Sequence, residues 1–197
     1  MSRTLRAMAL LMLLAACGSG HNSAPRNLEN ACSIVSQRPE YLRAFRAAER
    51  KYGVPVHVQM ATIYQESKFV GNARTPYRYV LGVIPMGRQS SAFGYSQALD
   101  GTWDEYRKDT GKRGARRDNI RDATDFMGWY MTQTRERNGI RLSDARNQYL
   151  AYHEGHTGFA RGSYNRKAWL LRVAGETQAR ANRYQSQLAS CKRARRG

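Results

Sequence analysis

Apolar residues recur every three or four positions through most of the chain beyond residue 38. Leu42, Phe45, Ala48 and Tyr52 make the first stripe. A helix is therefore predicted from Pro39 to Tyr52, with Gly53 suited to the left-handed stop position. Pro55 can open the next helix, because its fixed φ suits a first turn. Val58, Ala61, Ile63 and Tyr64 form that helix's apolar stripe, and Gly71 and Asn72 are expected to end it soon after Glu66. So short a turn makes the two helices packed neighbours. Residues 71–91 keep no steady period. With Pro76, Gly82, Pro85 and Gly87 they read as a long loop holding one short strand over 79–84. Thr102-Trp103-Asp104-Glu105 matches a capping box and predicts a helix that carries Trp103 and Tyr106 and ends at Gly111. Asp118 is expected to cap a helix from Asn119 to Asn138. Its core face is Ile120, Ala123, Met127, Tyr130 and Met131, and Gly128 within it marks close packing. A shorter helix runs from Ser143 to a break at Gly155. A long one from Ser163 to about Ala189 carries Trp169, Val173, Thr177, Tyr184 and Leu188. There is no internal repeat. The expected fold is mainly α, in a single globular domain.

Composition changes this picture little, but charge and the N-terminus change it a good deal. The 197 residues suffice for one domain with a real core, and 41% hydrophobic with 10% aromatic residues excludes a disordered chain. The formal net charge is +18, spread along the sequence. Such a field favours a polyanionic partner: nucleic acid, an anionic membrane surface or an acidic wall polymer. Arg3 and Arg6 precede an uncharged apolar run at 7–16, the pattern of an export signal, and the run is too short to span a bilayer. Export argues against nucleic acid.

The run ends in Leu14-Ala15-Ala16-Cys17, which resembles the lipobox of bacterial lipoproteins. The resemblance implies that 1–16 is a removed signal peptide, that Cys17 is lipidated and that this lipid holds the chain to a membrane. Gly18, not Asp, follows Cys17. By resemblance to lipoprotein sorting, that favours the periplasmic face of the outer membrane. Residues 17–31 are rich in Gly, Ser and Asn and read as a flexible tether. Three cysteines less Cys17 leave Cys32 and Cys191, and an oxidising compartment allows a disulfide between them. Neither has a CxxC neighbour, so zinc or redox chemistry is not indicated. Residues 192–197 form a basic tail.

The stretch 61–69 holds the sharpest chemical signal. Glu66 falls at a helix C-terminus, whose partial negative charge disfavours an ionised carboxylate. Burial beside Ile63, Tyr64 and Phe69 pushes the same way. Both raise its pKa, as a general acid at neutral pH requires. Farther on, Gly94 permits a tight turn and Gln97 offers a donor and an acceptor. Asp100, Asp104 and Glu154 read as caps or surface charges, and Trp103 and Trp169 as core. His153-Glu154-Gly155-His156 is not the HExxH signature and has no third ligand, so neither a metal nor a cofactor is expected.

Glu66-Ser67, then Gly94-Tyr95-Ser96-Gln97, then Ala151-Tyr152-His153-Glu154-Gly155 stand in an order and spacing that resemble the lytic transglycosylase (SLT) domain of the lysozyme-like fold. That family carries a Glu-Ser pair, a Gly-Leu-Met-Gln type motif and Ala-Tyr-Asn-x-Gly. The resemblance covers about residues 41–169 and sets the domain at 32–191. Tyr95-Ser96 and His153 depart from the family pattern, and the gap between Glu66 and Gly94 implies an inserted loop. The resemblance implies that Glu66 is a single acid/base. It protonates the glycosidic oxygen between MurNAc and GlcNAc in peptidoglycan, then takes the proton of the C6 hydroxyl to give a 1,6-anhydro product. Ordinary glycosidases use two carboxylates; here the MurNAc acetamide stabilises the reacting centre. It further implies that Tyr152 holds Glu66 by a phenol hydrogen bond, that Ser67, Ser96 and Gln97 bind the sugar, and that Tyr95 and His153 line the groove. Two other readings follow. A second carboxylate facing Glu66 would make a hydrolytic muramidase. Loss of turnover with the fold kept would make a peptidoglycan-binding or assembly lipoprotein.

Overall fold

The computed structural model describes residues 22–191. The expected signal peptide, Cys17 and the tail at 192–197 lie outside them. The described chain forms α1 (Ala31–Gln37), α2 (Pro39–Tyr52), α3 (Val56–Ser67), the strands β1 (Tyr77–Val80) and β2 (Ile84–Arg88), α4 (Asp100–Thr110), α5 (Ile120–Asn138), α6 (Ala145–Ala160), a 3-10 turn at Ser163–Arg166, and α7 (Ala168–Ser190). The fold is mainly α and a single domain, as the apolar periodicity predicts.

α3 is the central element. Val56, Val58, Gln59, Met60, Ala61, Thr62 and Ile63 are all buried, so the helix is enclosed on most of its circumference. α7 packs along it, with α2, α5 and α6 on its other sides. Two polar side chains inside this core are tied down by several partners. Gln59 donates to the carbonyls of Phe45 (3.1 Å) and Val54 (2.8 Å), which closes the turn between α2 and α3. Asp125 on α5 gathers Tyr106 (2.8 Å), Tyr52 (3.1 Å), Lys51 and Lys112 (both 3.0 Å). Burial pushes its carboxyl up, but hydrogen bonds from Lys112, Tyr106 and Lys51 outweigh burial and hold its pKa below the ordinary value.

Several boundaries move. Residues 22–30 are not a free tether. Tyr184 donates to the Leu28 carbonyl (2.5 Å), Glu29 pairs with Arg180 and Arg183, and Leu28 packs on the core. α1 is an added helix, capped by the Asn30 side chain. Thr102 does not cap α4, which starts at Asp100 with no side-chain cap, so Thr102 sits inside its first turn. Asn119, not Asp118, caps α5 by accepting from Arg121 and Asp122, because Asp118 is paired with Arg116. Asp144 rather than Ser143 caps α6. The apolar positions at 77–86 form a hairpin, not one strand.

Cys32 and Cys191 come together at the two ends of the domain as neighbouring thiols that hydrogen-bond one another. Gly128 shows why α5 carries a glycine: a Cβ there would overlap the ring of Tyr52 on α2. Gly128→Ala should therefore lower stability by about 1–3 kcal/mol, the cost of overpacking a filled core. Urea unfolding with an unchanged slope checks this.

Candidate active site

Glu66 lies in the last turn of α3. Gly71 and Asn72 do not end this helix. Lys68 (φ 51°) and Phe69 (φ 61°) do, both in the left-handed region that non-glycine residues seldom occupy. Two contacts hold them there. Phe69 is fully buried and stacked on Tyr41 (centroids 5.9 Å apart), and the Lys68 ammonium lies 3.8 Å from the Tyr64 ring centre. The reversal turns the chain away directly after Glu66. The Glu66 residue keeps partial solvent access while its carboxyl group is crowded by protein. Burial raises its pKa to about 7, against smaller opposing effects from a Tyr149 hydrogen bond and the Lys68 charge. At neutral pH the group is thus shared between acid and carboxylate.

The loop at 90–99 closes on the same helix end. Ser67 donates to the Tyr95 carbonyl (2.8 Å) as well as to Ile63 in its own helix (3.3 Å). Gly94 (φ 82°) takes the tight turn, and a Cβ there would collide with the Arg117 carbonyl, which accepts from the Tyr95 N–H. Arg117 also donates to the carbonyls of Ala98 (2.8 Å) and Ser91 (3.1 Å). Gln97 (φ 49°) turns its amide inward, donating to Gly94 (2.8 Å) and Ala73 (2.9 Å). This loop is a wall whose shape these hydrogen bonds hold.

α6 supplies the opposite wall. Tyr149 and Tyr152 are one turn apart on one face, so both phenols reach the α3 end. Tyr149 hydrogen-bonds Glu66. Tyr152 donates to the Ser96 carbonyl (2.6 Å) and lies close enough to Glu66 for its charge to help raise the phenol's pKa, though burial raises it more. At Gly155 (φ 72°, ψ 159°) α6 kinks. Beside the kink Glu154 is enclosed. Lys167 reaches it at 2.6 Å, His153 Nδ1 at 3.0 Å, and Ser163 donates to its other oxygen. Burial pushes this carboxyl up, but Lys167, Ser163 and His153 together hold it at about 2. A cleft opens between the walls, lined by Gln97, Thr102, Tyr130, Tyr152, His153 and Glu154. Trp169, half exposed, packs edge-on against His153 (5.1 Å) at the start of α7.

The predicted catalytic and substrate-binding residues thus fall into two groups. Gln97, Tyr152 and His153 line one cleft, and Glu66 lies near the Tyr152 side of its wall. Ser67, Tyr95 and Ser96 face inward, and the expectation that they touch a ligand is corrected. Ser67 clamps the loop to α3. Tyr95 is core, its hydroxyl 3.0 Å from that of Tyr41. Ser96 is fully enclosed, and its hydroxyl has no partner among the described residues. The phenol on Glu66 is that of Tyr149, not Tyr152, because Tyr152 is held by Ser96. Trp169 is not core. Sequence reasoning missed Tyr149, although its one-turn spacing from Tyr152 was a usable signal. It also missed the Lys167–Glu154 pair, which no local pattern announces.

The family model of the transglycosylase SLT domain matches residues 5–191. No curated protein matches the chain.

A phenol that donates to a carboxylate favours the ionised form. Tyr149→Phe should therefore carry the Glu66 pKa above about 7. Carbon NMR titration of the Glu66 carboxyl, with Tyr152→Phe as the comparison that shifts it less, checks this.

Proposed function

The chain belongs to the transglycosylase SLT domain family, and from that premise we propose that it is a peptidoglycan lytic transglycosylase with Glu66 as its acid/base. The observation that carries this reading is the Glu66 carboxyl, raised to about 7 by burial beside the Tyr149 and Tyr152 phenols of α6. In its acid form Glu66 delivers a proton to the glycosidic oxygen between MurNAc and GlcNAc. The carboxylate left behind takes the proton of the MurNAc C6 hydroxyl as that oxygen closes on C1. The product is 1,6-anhydroMurNAc, no water is consumed, and Glu66 is an acid again. Tyr149 steadies the carboxylate between the two steps. Lys68, in the left-handed region at φ 51°, turns the chain away directly after Glu66.

The reading needs one carboxylate, and the second one near the cleft is engaged. Glu154 is ion-paired and hydrogen-bonded by three side chains, and at about 2 it has no proton to give. This supports a route in which the substrate's acetamide, not a second carboxylate, stabilises the oxocarbenium centre. Gln97, Tyr152 and His153 contact the glycan, and the open face of Trp169 stacks on a sugar ring.

We further assign the chain to a lipid-anchored state through Cys17, on the periplasmic face of the outer membrane, with Cys32 and Cys191 joined as a disulfide. Mass spectrometry of the exported chain should find an acylated N-terminal Cys17 and a linked Cys32–Cys191 peptide pair; a free Cys17 thiol or two alkylatable thiols would refute the respective assignment.

Sacculi digested with wild type should yield anhydro-muropeptides. Glu66→Gln should lose about 10²–10⁴-fold in rate, the usual worth of general acid–base catalysis. Turnover should fall as pH rises above about 7, because the first step consumes the acid form. Reducing-end products would mean a hydrolytic muramidase. Sacculus binding without products would mean a binding or assembly protein.

A further inference from the structure

The β1–β2 hairpin is built in a way that folding does not require. Its turn has positive φ at both central residues, Leu81 (53°) and Gly82 (74°), closed by the Val83 N–H on the Val80 carbonyl (3.2 Å). Such turns favour Asn or Asp at the first of these positions, yet it holds a branched apolar residue. Leu81 is 86% exposed and Val83 74%, and Tyr79, Val80, Ile84 and Met86 are about half exposed. The strands pack on each other, and no helix packs broadly on either. A contiguous exposed apolar surface of this kind marks an interaction site.

The hairpin is also graded along its length. Leu81 and Val83 form the tip. Tyr79 and Ile84 follow, then Tyr77 with the Arg88 guanidinium stacked on it (4.3 Å). Arg78 and Arg74 complete a basic collar, with Arg74 stacked on Phe93 (4.2 Å) at the base. Aliphatic tip, tyrosine belt and arginine collar match the acyl, interfacial and phosphate layers of an anionic bilayer in that order. A protein groove would not call for that gradient. The base is firm: Thr75 donates to the Ser90 carbonyl (2.9 Å), and Arg88 to that of Thr75 (2.6 Å).

We propose that the 77–88 hairpin docks the domain on an anionic phospholipid bilayer, with Leu81 and Val83 entering the acyl region. The described chain begins beside its base, where the Asn22 carbonyl accepts from Gly71 (2.8 Å). Cys17 lies five residues earlier, within about 18 Å of extended chain, so a lipid there and the hairpin address the same surface. Because the hairpin joins the end of α3 to the Gly94 loop, docking fixes the height and tilt of the cleft above the membrane.

The test uses the full chain carrying Cys17→Ala and Leu81→Trp, read against Cys17→Ala alone, on phosphatidylglycerol-containing vesicles with brominated acyl chains. The expected result is a blue-shifted indole emission at position 81, quenched by the bromines, and weakened in high salt or on neutral phosphatidylcholine. Unquenched, water-like emission on the anionic vesicles overturns the proposal. So does a blue shift without vesicles that grows with protein concentration, which means a second copy, or one that appears only with sacculi, which means the wall. Glu66→Gln leaves this readout unchanged, so failure here is distinct from failure of the transglycosylase reading.

Discussion

A carboxyl that must hold its proton near neutral pH has to be desolvated, and yet the bond it attacks must reach it. In the proposed reaction both demands fall on Glu66, at the end of α3. The helix is buried on most sides, so its last turn is carried into the middle of the domain. Lys68 and Phe69 then reverse the chain in left-handed conformations, which keeps the next residues from covering Glu66. That strain is tolerable only because Phe69 is locked in the core against Tyr41. The Glu66 pKa, the cleft and the loop that flanks it all depend on this one helix end.

The walls are held by backbone more than by side chains. Ser67, Tyr95 and Ser96 come from two of the motifs that carry the family resemblance, but their work is structural. The Ser67 hydroxyl binds one loop carbonyl, Tyr152 binds the next, and Gln97 ties the loop to itself. A motif residue can thus be required for the site's shape without meeting the ligand. Tyr149 shows the converse, for it lies outside the motif core and carries the hydrogen bond to Glu66.

Glu154 illustrates how a second carboxylate is managed at the cleft. A free second carboxylate near Glu66 would raise its pKa further and offer competing chemistry. Lys167, Ser163 and His153 neutralise it in place. They lie beside the kink at Gly155, and His153, which lines the cleft, has Trp169 edge-on against it.

The order of helices, the α2–α3 turn, the core face of α5 and the raised pKa of Glu66 were legible in the sequence, because local periodicity, proline and glycine positions act over a few residues. Those rules hold wherever the segment finds itself. The partners were not legible. Whether Tyr149 or Tyr152 meets Glu66 depends on how α6 lies against α3, and the Lys167–Glu154 pair depends on a turn between two helices. Trp169 has helical spacing suited to a core, but the start of α7 lies at the cleft's rim, so its ring is exposed. The hairpin is the clearest case. Its apolar run reads as one short strand, since sequence reports hydrophobicity and not what covers it. Only the packing of the whole chain left that surface open.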